Sequence, residues 1–109
     1  MPQTAAAFKA EFFKALAHPI RIRLLDCLRG GEKSVNELSG LVGIEPAHVS
    51  QQLANLRMRN IVAGRKAGSS VFYSVSDPTI FRLLDAAKQV FNNRLVDVRD
   101  MLKEMRRQS

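Results

Sequence analysis

The chain has 109 residues, with 17 Lys and Arg against 10 Asp and Glu, a formal charge of +7. This length supports a single domain, expected to cover residues 1–109, and excludes a catalytic domain joined to a separate regulatory one. No apolar run approaches the ~20 residues needed to span a bilayer. The start, MPQTAAAFKAEFFKALAHP, lacks the basic stretch and unbroken apolar run of a signal peptide, so a cytoplasmic protein without a membrane partner is expected. The single cysteine, Cys27, excludes an intrachain disulfide and fits a reducing compartment.

In chain order, the first helix is expected over residues 4–17, where Phe8, Phe12, Ala15 and Leu16 recur at helical spacing. His18-Pro19 interrupts it, because proline disfavours helical geometry in the residue before it. A second helix follows with Ile20, Leu24, Leu25 and Leu28 as its apolar face, ended by Gly30-Gly31. Ser34 and Glu37 form a capping box that opens a short helix with Val35, Leu38, Leu41 and Val42 apolar. Gly43 is the turn residue. Pro46 sits near the start of the next helix, in which Val49, Leu53 and Leu56 make the apolar stripe and which ends near Asn60.

A short helix, a tight turn and a second helix make a helix-turn-helix, here spanning residues 34–60. The segment that follows is β-branched, aromatic and alternating, with Gly64, Gly68, Ser69 and Ser70 supplying turn chemistry. It reads as a hairpin wing over residues 61–76. The last helix, residues 78–107, carries Ile80, Leu84, Ala87, Phe91, Leu95, Val98, Leu102 and Met105 in one near-continuous seam about 40 Å long. One small domain cannot bury such a seam, so Phe91, Leu95, Val98 and Leu102 are expected to meet a second copy of the chain, together with Phe8 and Phe12 of the first helix. The fold class is therefore mainly α with a β-hairpin wing, a winged helix-turn-helix of about five helices that dimerises through its first and last helices.

Charge placement points the same way. Residues 46–76 contain no Asp or Glu but include Arg57, Arg59, Arg65 and Lys66, the composition of a phosphate-facing surface. Opposite the apolar stripe of the 46–59 helix lie Ala47, His48, Gln51 and Asn55, flanked by Ser50 and Gln52. This set is short, polar and free of acids, which suits base edges in the major groove. Arg57, Arg65, Lys66 and Ser69 suit phosphate contacts, which position without specifying. Double-stranded DNA is the expected partner. Basic residues of the last helix alternate with Asp97, Asp100 and Glu104, so no unbroken cationic face addresses a membrane. No Gly-rich phosphate loop, metal cluster or activated nucleophile marks an enzyme, and no catalytic residue or cofactor is assigned.

The segments FFKALAHPIRIRLLDCL, SVNELSGLVGIEPAHVSQQLANLR and the hairpin ending in VFYSV resemble the ArsR/SmtB family of bacterial repressors, over roughly residues 12–84. The resemblance implies a homodimeric winged helix on an imperfect palindromic operator, with metals as effectors in many members. The family's thiolate site is a Cys-x-Cys after Glu-Leu, and here Ser39 and Leu41 stand in those places. Neither suits a soft metal. Its other site uses an Asp-x-His pair on the last helix, which here has no histidine. A repressor without a metal is expected, its effector open. The alternatives are a winged-helix protein-interaction module and a repressor answering thiol oxidation at Cys27, which has no second cysteine to pair with.

Overall fold

The computed structural model describes residues 4–108. The first helix, α1 (Ala5–Leu16), starts where the Thr4 hydroxyl accepts the Ala7 N–H at 3.1 Å, an N-cap that satisfies one orphan donor of the first turn. It buries Ala15 and Leu16 and packs against the fourth helix. His18 is extended and caps α2 (Pro19–Cys27) with its ring, Nδ1 accepting the Ile20 N–H at 3.1 Å. Pro19 opens that helix at a position whose N–H would be unsatisfied in any case. Leu24 and Leu25 are fully buried. The α-helix stops at Cys27, before the expected glycines, and tightens into a 3-10 turn, Leu28–Gly30.

The expected capping box is formed: Ser34 Oγ accepts the Glu37 N–H and Glu37 Oε1 accepts the Ser34 N–H, each at 3.1 Å. It starts α3 (Val35–Val42), which ends on Gly43 in the left-handed region at φ 70°. Arg23 of α2 reaches the Val42 carbonyl at 3.0 Å, so an otherwise orphaned carbonyl of the last turn is satisfied from outside the helix. Leu38 and Val42 fill the core, but Leu41, expected beside them, is 58% exposed. A helix this short commits only the i, i+4 pair, and Leu41 lies 100° round from Val42.

The fourth helix, α4 (Pro46–Met58), buries Val49, Leu53 and Leu56 completely. It closes through Asn60 at φ 58°, with the Ile61 N–H returning to the Leu56 carbonyl at 3.0 Å. Asn is among the few non-glycine residues that adopt this backbone readily. The hairpin follows as expected, β2 (Val62–Ala67) and β3 (Ser70–Val75), joined through Gly68 at φ 62° and Ser69. A positive φ at the first central residue alone is the type II′ pattern, whose twist suits a hairpin. The sheet also has a strand not foreseen, β1 (Lys33–Ser34), pairing antiparallel with β3 in the order β1-β3-β2. Two residues are too few to show a period of two, so nothing in the pattern marked it.

The chain up to Pro78 forms one compact unit and the residues from Thr79 another. The second is a single 30-residue helix, α5 (Thr79–Gln108), about 45 Å long at 1.5 Å per residue. Phe91, Leu95, Val98 and Leu102 are all exposed on it, and Val90, Met101 and Met105 widen the apolar band on one side.

Two glycines flanking the end of α3 should respond oppositely to alanine. A Cβ at Gly40 meets nothing within 4 Å, so Gly40→Ala should raise stability in a denaturant melt by about 0.5–1 kcal/mol through helix propensity. Gly43→Ala, forced to keep φ 70°, should lower it by about 1–2 kcal/mol.

Candidate nucleic-acid interface

The burial of Val49, Leu53 and Leu56 decides what α4 can offer to a ligand. At 100° per residue the opposite strip carries Ala47, Ser50, Gln51, Ala54 and Met58, and all five are exposed, as are His48 and Arg57 on the flanks. Glu45, preceding the helix, is the last acid before Asp77. The strip therefore combines two small alanines, which permit close approach, with a hydroxyl and an amide able to meet base edges.

Two residues expected on this face lie elsewhere. Gln52 is only 7% exposed. Its Oε1 accepts from Arg21 Nε of α2 at 2.8 Å and its Nε2 meets His48 Nε2 at 3.2 Å. The helical wheel places Gln52 40° from Leu56 and 60° from Val49, both fully buried, so the core claims it. A buried amide must find hydrogen-bond partners there, and Arg21 supplies one. Asn55 is half-buried and lines a cavity of about 280 Å³ with Glu11, Lys14, Ala15, Arg21 and Arg59. It thus faces the α1 side of the helix.

Ser50 and the hairpin tip come together. A second cavity of about 260 Å³ is lined by Ser50 of α4, Ser34 and Asn36 at the start of α3, and Ser69, Ser70 and Tyr73 of the hairpin. Four serines from three segments line it; the sequence marks Ser34 as a helix cap and Ser70 as a turn residue, not as parts of one site, and does not mark Asn36 at all. Only the tertiary meeting of segments 35 residues apart reveals them.

The four cations of the acid-free segment divide into two pairs. Arg59 binds Glu11 of α1 at 2.9 Å. Arg65 makes a two-pronged contact with Glu32, its Nε donating at 3.2 Å and its Nη2 to the other oxygen, while its guanidinium lies 5.3 Å from the Phe72 ring centroid. The Phe72 contact follows from register, since Arg65 and Phe72 are cross-strand partners. Donation from Arg65 holds the Glu32 carboxyl below its ordinary titration range. Arg57 and Lys66 pair with no acid among the described residues, and a Cβ at Gly64 would meet the Arg57 guanidinium at 3.4 Å. The bare backbone of Gly64 thus leaves room for Arg57 beside the hairpin.

At the positions of the family's thiolate site, Ser39 donates to the Ile44 carbonyl and Leu41 is exposed. Among the described residues, no three His, Cys, Asp or Glu side chains gather to hold a metal ion. Cys27, half-buried at the end of α2, is a free thiol. No described helix is long and apolar enough to cross a membrane.

Residues 18–63 match the model of the arsR family of bacterial regulatory proteins. An uncharacterized HTH-type transcriptional regulator of Mycobacterium tuberculosis, Rv0081, is 46% identical over 99 residues, covering 90% of this chain and 87% of its own. The crystal structure of Rv0081 superposes with a TM-score of 0.79 over 88% of this chain and 97% of that one, at 43% identity. The transcriptional repressor BigR from Xylella fastidiosa gives a TM-score of 0.72 at 36% identity, over 79% of this chain and 88% of that one. The homodimeric winged helix-turn-helix DNA-binding domain of Mb0332 from Mycobacterium bovis gives 0.75 at 26% identity, over 85% and 91%. Fold and relatives are those of DNA-binding transcriptional regulators, not enzymes. Helix-turn-helix, wing and sequence agree: the chain belongs to the arsR family of bacterial regulatory proteins.

Proposed function

We propose that this regulator is a cytoplasmic, homodimeric repressor that binds a palindromic operator and answers to no metal, residues 1–109 acting as one DNA-binding module. The observation that carries the reading is the acid-free outward strip of α4, set beside the serine-lined cleft that it shares with the hairpin tip. Ala47, His48, Ser50 and Gln51 reach base edges in the major groove. Arg57, Lys66 and Ser69 hold the backbone, and Arg65 joins them when a phosphate draws it from Glu32. Gln52 and Asn55 are left out, being turned towards α2 and α1. The dimer forms through Phe8 of α1 and the exposed band of α5 around Phe91, Leu95, Val98 and Leu102, with half-buried Phe12 at its edge. The homodimeric Mb0332 domain supports that assembly. Ser39 and Leu41 in place of thiolates support a non-metal effector.

Selection of bound sequences from random DNA, followed by titration against random competitor, tests the central reading. Specific binding that falls steeply with salt is expected. Equal affinity for every sequence overturns it. Gln51→Ala should cost about 1–3 kcal/mol on the selected site and leave random DNA unaffected, whereas Lys66→Ala should weaken both and lower the salt slope by about one.

The Arg65–Glu32 bridge makes a separate prediction with a definite sign. Because the carboxyl is shifted down, the bridge is complete above the ordinary glutamate range and is lost only as pH falls through the lowered value. The Arg65 Nε resonance should therefore stay constant through neutral pH, move in acid, and no longer follow that titration in Glu32→Gln. The same variant, freeing one cation in the wing, should bind all DNA more tightly and with a salt slope about one larger. For the assembly, Leu95→Glu should convert the dimer to monomer in sedimentation and abolish tight binding to the full operator.

A further inference from the structure

The middle of α4 is tied to α2 through three side chains whose hydrogen-bonding roles admit one arrangement. Arg21 has donors only. It gives Nε–H to Gln52 Oε1 at 2.8 Å and Nη1–H to the Ala15 carbonyl at 3.0 Å. The Gln52 carbonyl must therefore face Arg21, and its NH2 is the group that meets His48 Nε2 at 3.2 Å. An amide nitrogen donates and does not accept, so His48 Nε2 is the acceptor and the proton of the neutral ring sits on Nδ1. That is the minor tautomer of a free imidazole. Gln52 is only 7% exposed, so its amide takes these two protein partners in place of water. His48 is exposed, and with Nε2 committed, Nδ1–H is the nitrogen it has left for a ligand.

Resting on the DNA-reading role of α4 given above, we infer that Gln52 is a positioning residue which, with Arg21 behind it, holds His48 as the Nδ1–H tautomer, so that α4 presents DNA with a hydrogen-bond donor at this position. In the major groove a donor is met by N7 or O6 of guanine, N7 of adenine or O4 of thymine. Cytosine, which offers an amino donor there, is disfavoured. The residue buried beneath the reading face thus selects what the exposed one can read.

The second histidine is an internal standard. His18 Nδ1 accepts the Ile20 N–H, so His18 carries its proton on Nε2. Long-range proton–nitrogen spectra of the 15N-labelled, DNA-free full chain, taken with both rings neutral, should show opposite patterns, Nε2–H for His18 and Nδ1–H for His48. Gln52→Glu keeps an acceptor for Arg21 but turns a second acceptor towards His48. It should switch His48 to Nε2–H, leave His18 unchanged, and lower the preference for the selected operator over random DNA roughly threefold to tenfold, the worth of one hydrogen bond. His48→Ala, at an exposed position, should lower that preference similarly. An Nε2–H or averaged His48 signal in the wild-type chain overturns the inference, whether or not DNA is bound specifically. The expected tautomers with an unaltered preference in both variants overturn the donor role. Wild-type chain that shows the expected tautomers but no preferred DNA overturns the parent reading alone, and leaves the Gln52–His48 assignment standing.

Discussion

Val49, Leu53 and Leu56 lie along one edge of α4 and are wholly withdrawn from water, in a core that includes Leu24 and Leu25 of α2 and Leu38 of α3. Each such side chain contributes roughly 1.5–3 kcal/mol by its burial. A 13-residue helix is marginal on its own, so this edge both forms α4 and fixes its rotation. Turning the helix by one residue would bring a buried leucine towards solvent and carry Ala47, Ser50 and Gln51 off the outward strip. The face available to DNA is thus the complement of the core, and its composition is free to serve binding because stability is supplied elsewhere.

Electrostatics divides differently in space than along the chain. The 31 residues from 46 to 76 contain four cations and no acid, yet Glu11 and Glu32, from outside the segment, fold back onto Arg59 and Arg65. Half of the local excess is thereby neutralised, and Arg57 and Lys66 carry what remains. Exposed ion pairs of this kind add little to stability. Their effect is on geometry: Arg65, stacked on Phe72 and gripped by Glu32, is held in one place on the wing. A guanidinium so placed loses less freedom when a phosphate replaces the carboxylate than a mobile one would.

What could be read from sequence was whatever depends on neighbours a few residues away. Ser34 and Glu37 predict their capping box, Gly43 its left-handed turn, and Gly68 the hairpin tip, because each is a local solution to an orphaned or strained backbone. The apolar stripes of α4 and α5 are legible for the same reason. Gln52 was misplaced on the flank although Val49 and Leu56 stand within 60° of it, and Asn55 because a helical wheel gives the angle of a side chain and not the depth of what stands beside it. Gln52 meets Arg21 across 31 residues and Arg65 meets Glu32 across 33. No period or motif encodes such partners. The serine-lined cleft is hidden likewise, since Ser34, Ser50 and Ser69 share it only after α3, α4 and the hairpin have packed.

The proposed reading face and the unpartnered apolar band of α5 answer one quantitative problem. Ala47, His48, Ser50 and Gln51 span little more than one helical turn, enough for about three or four base pairs, each worth ~1–3 kcal/mol of discrimination. A site that short recurs by chance throughout a genome, and phosphate contacts from the wing add affinity without selectivity. Doubling the strip through a two-fold axis squares the discrimination, because two half-sites must then be correct together at a fixed separation. In the proposed dimer, Phe91, Leu95, Val98 and Leu102 supply the axis. Their exposure in the single chain and the shortness of the α4 strip are therefore complementary deficits, and a second copy of the chain removes both at once.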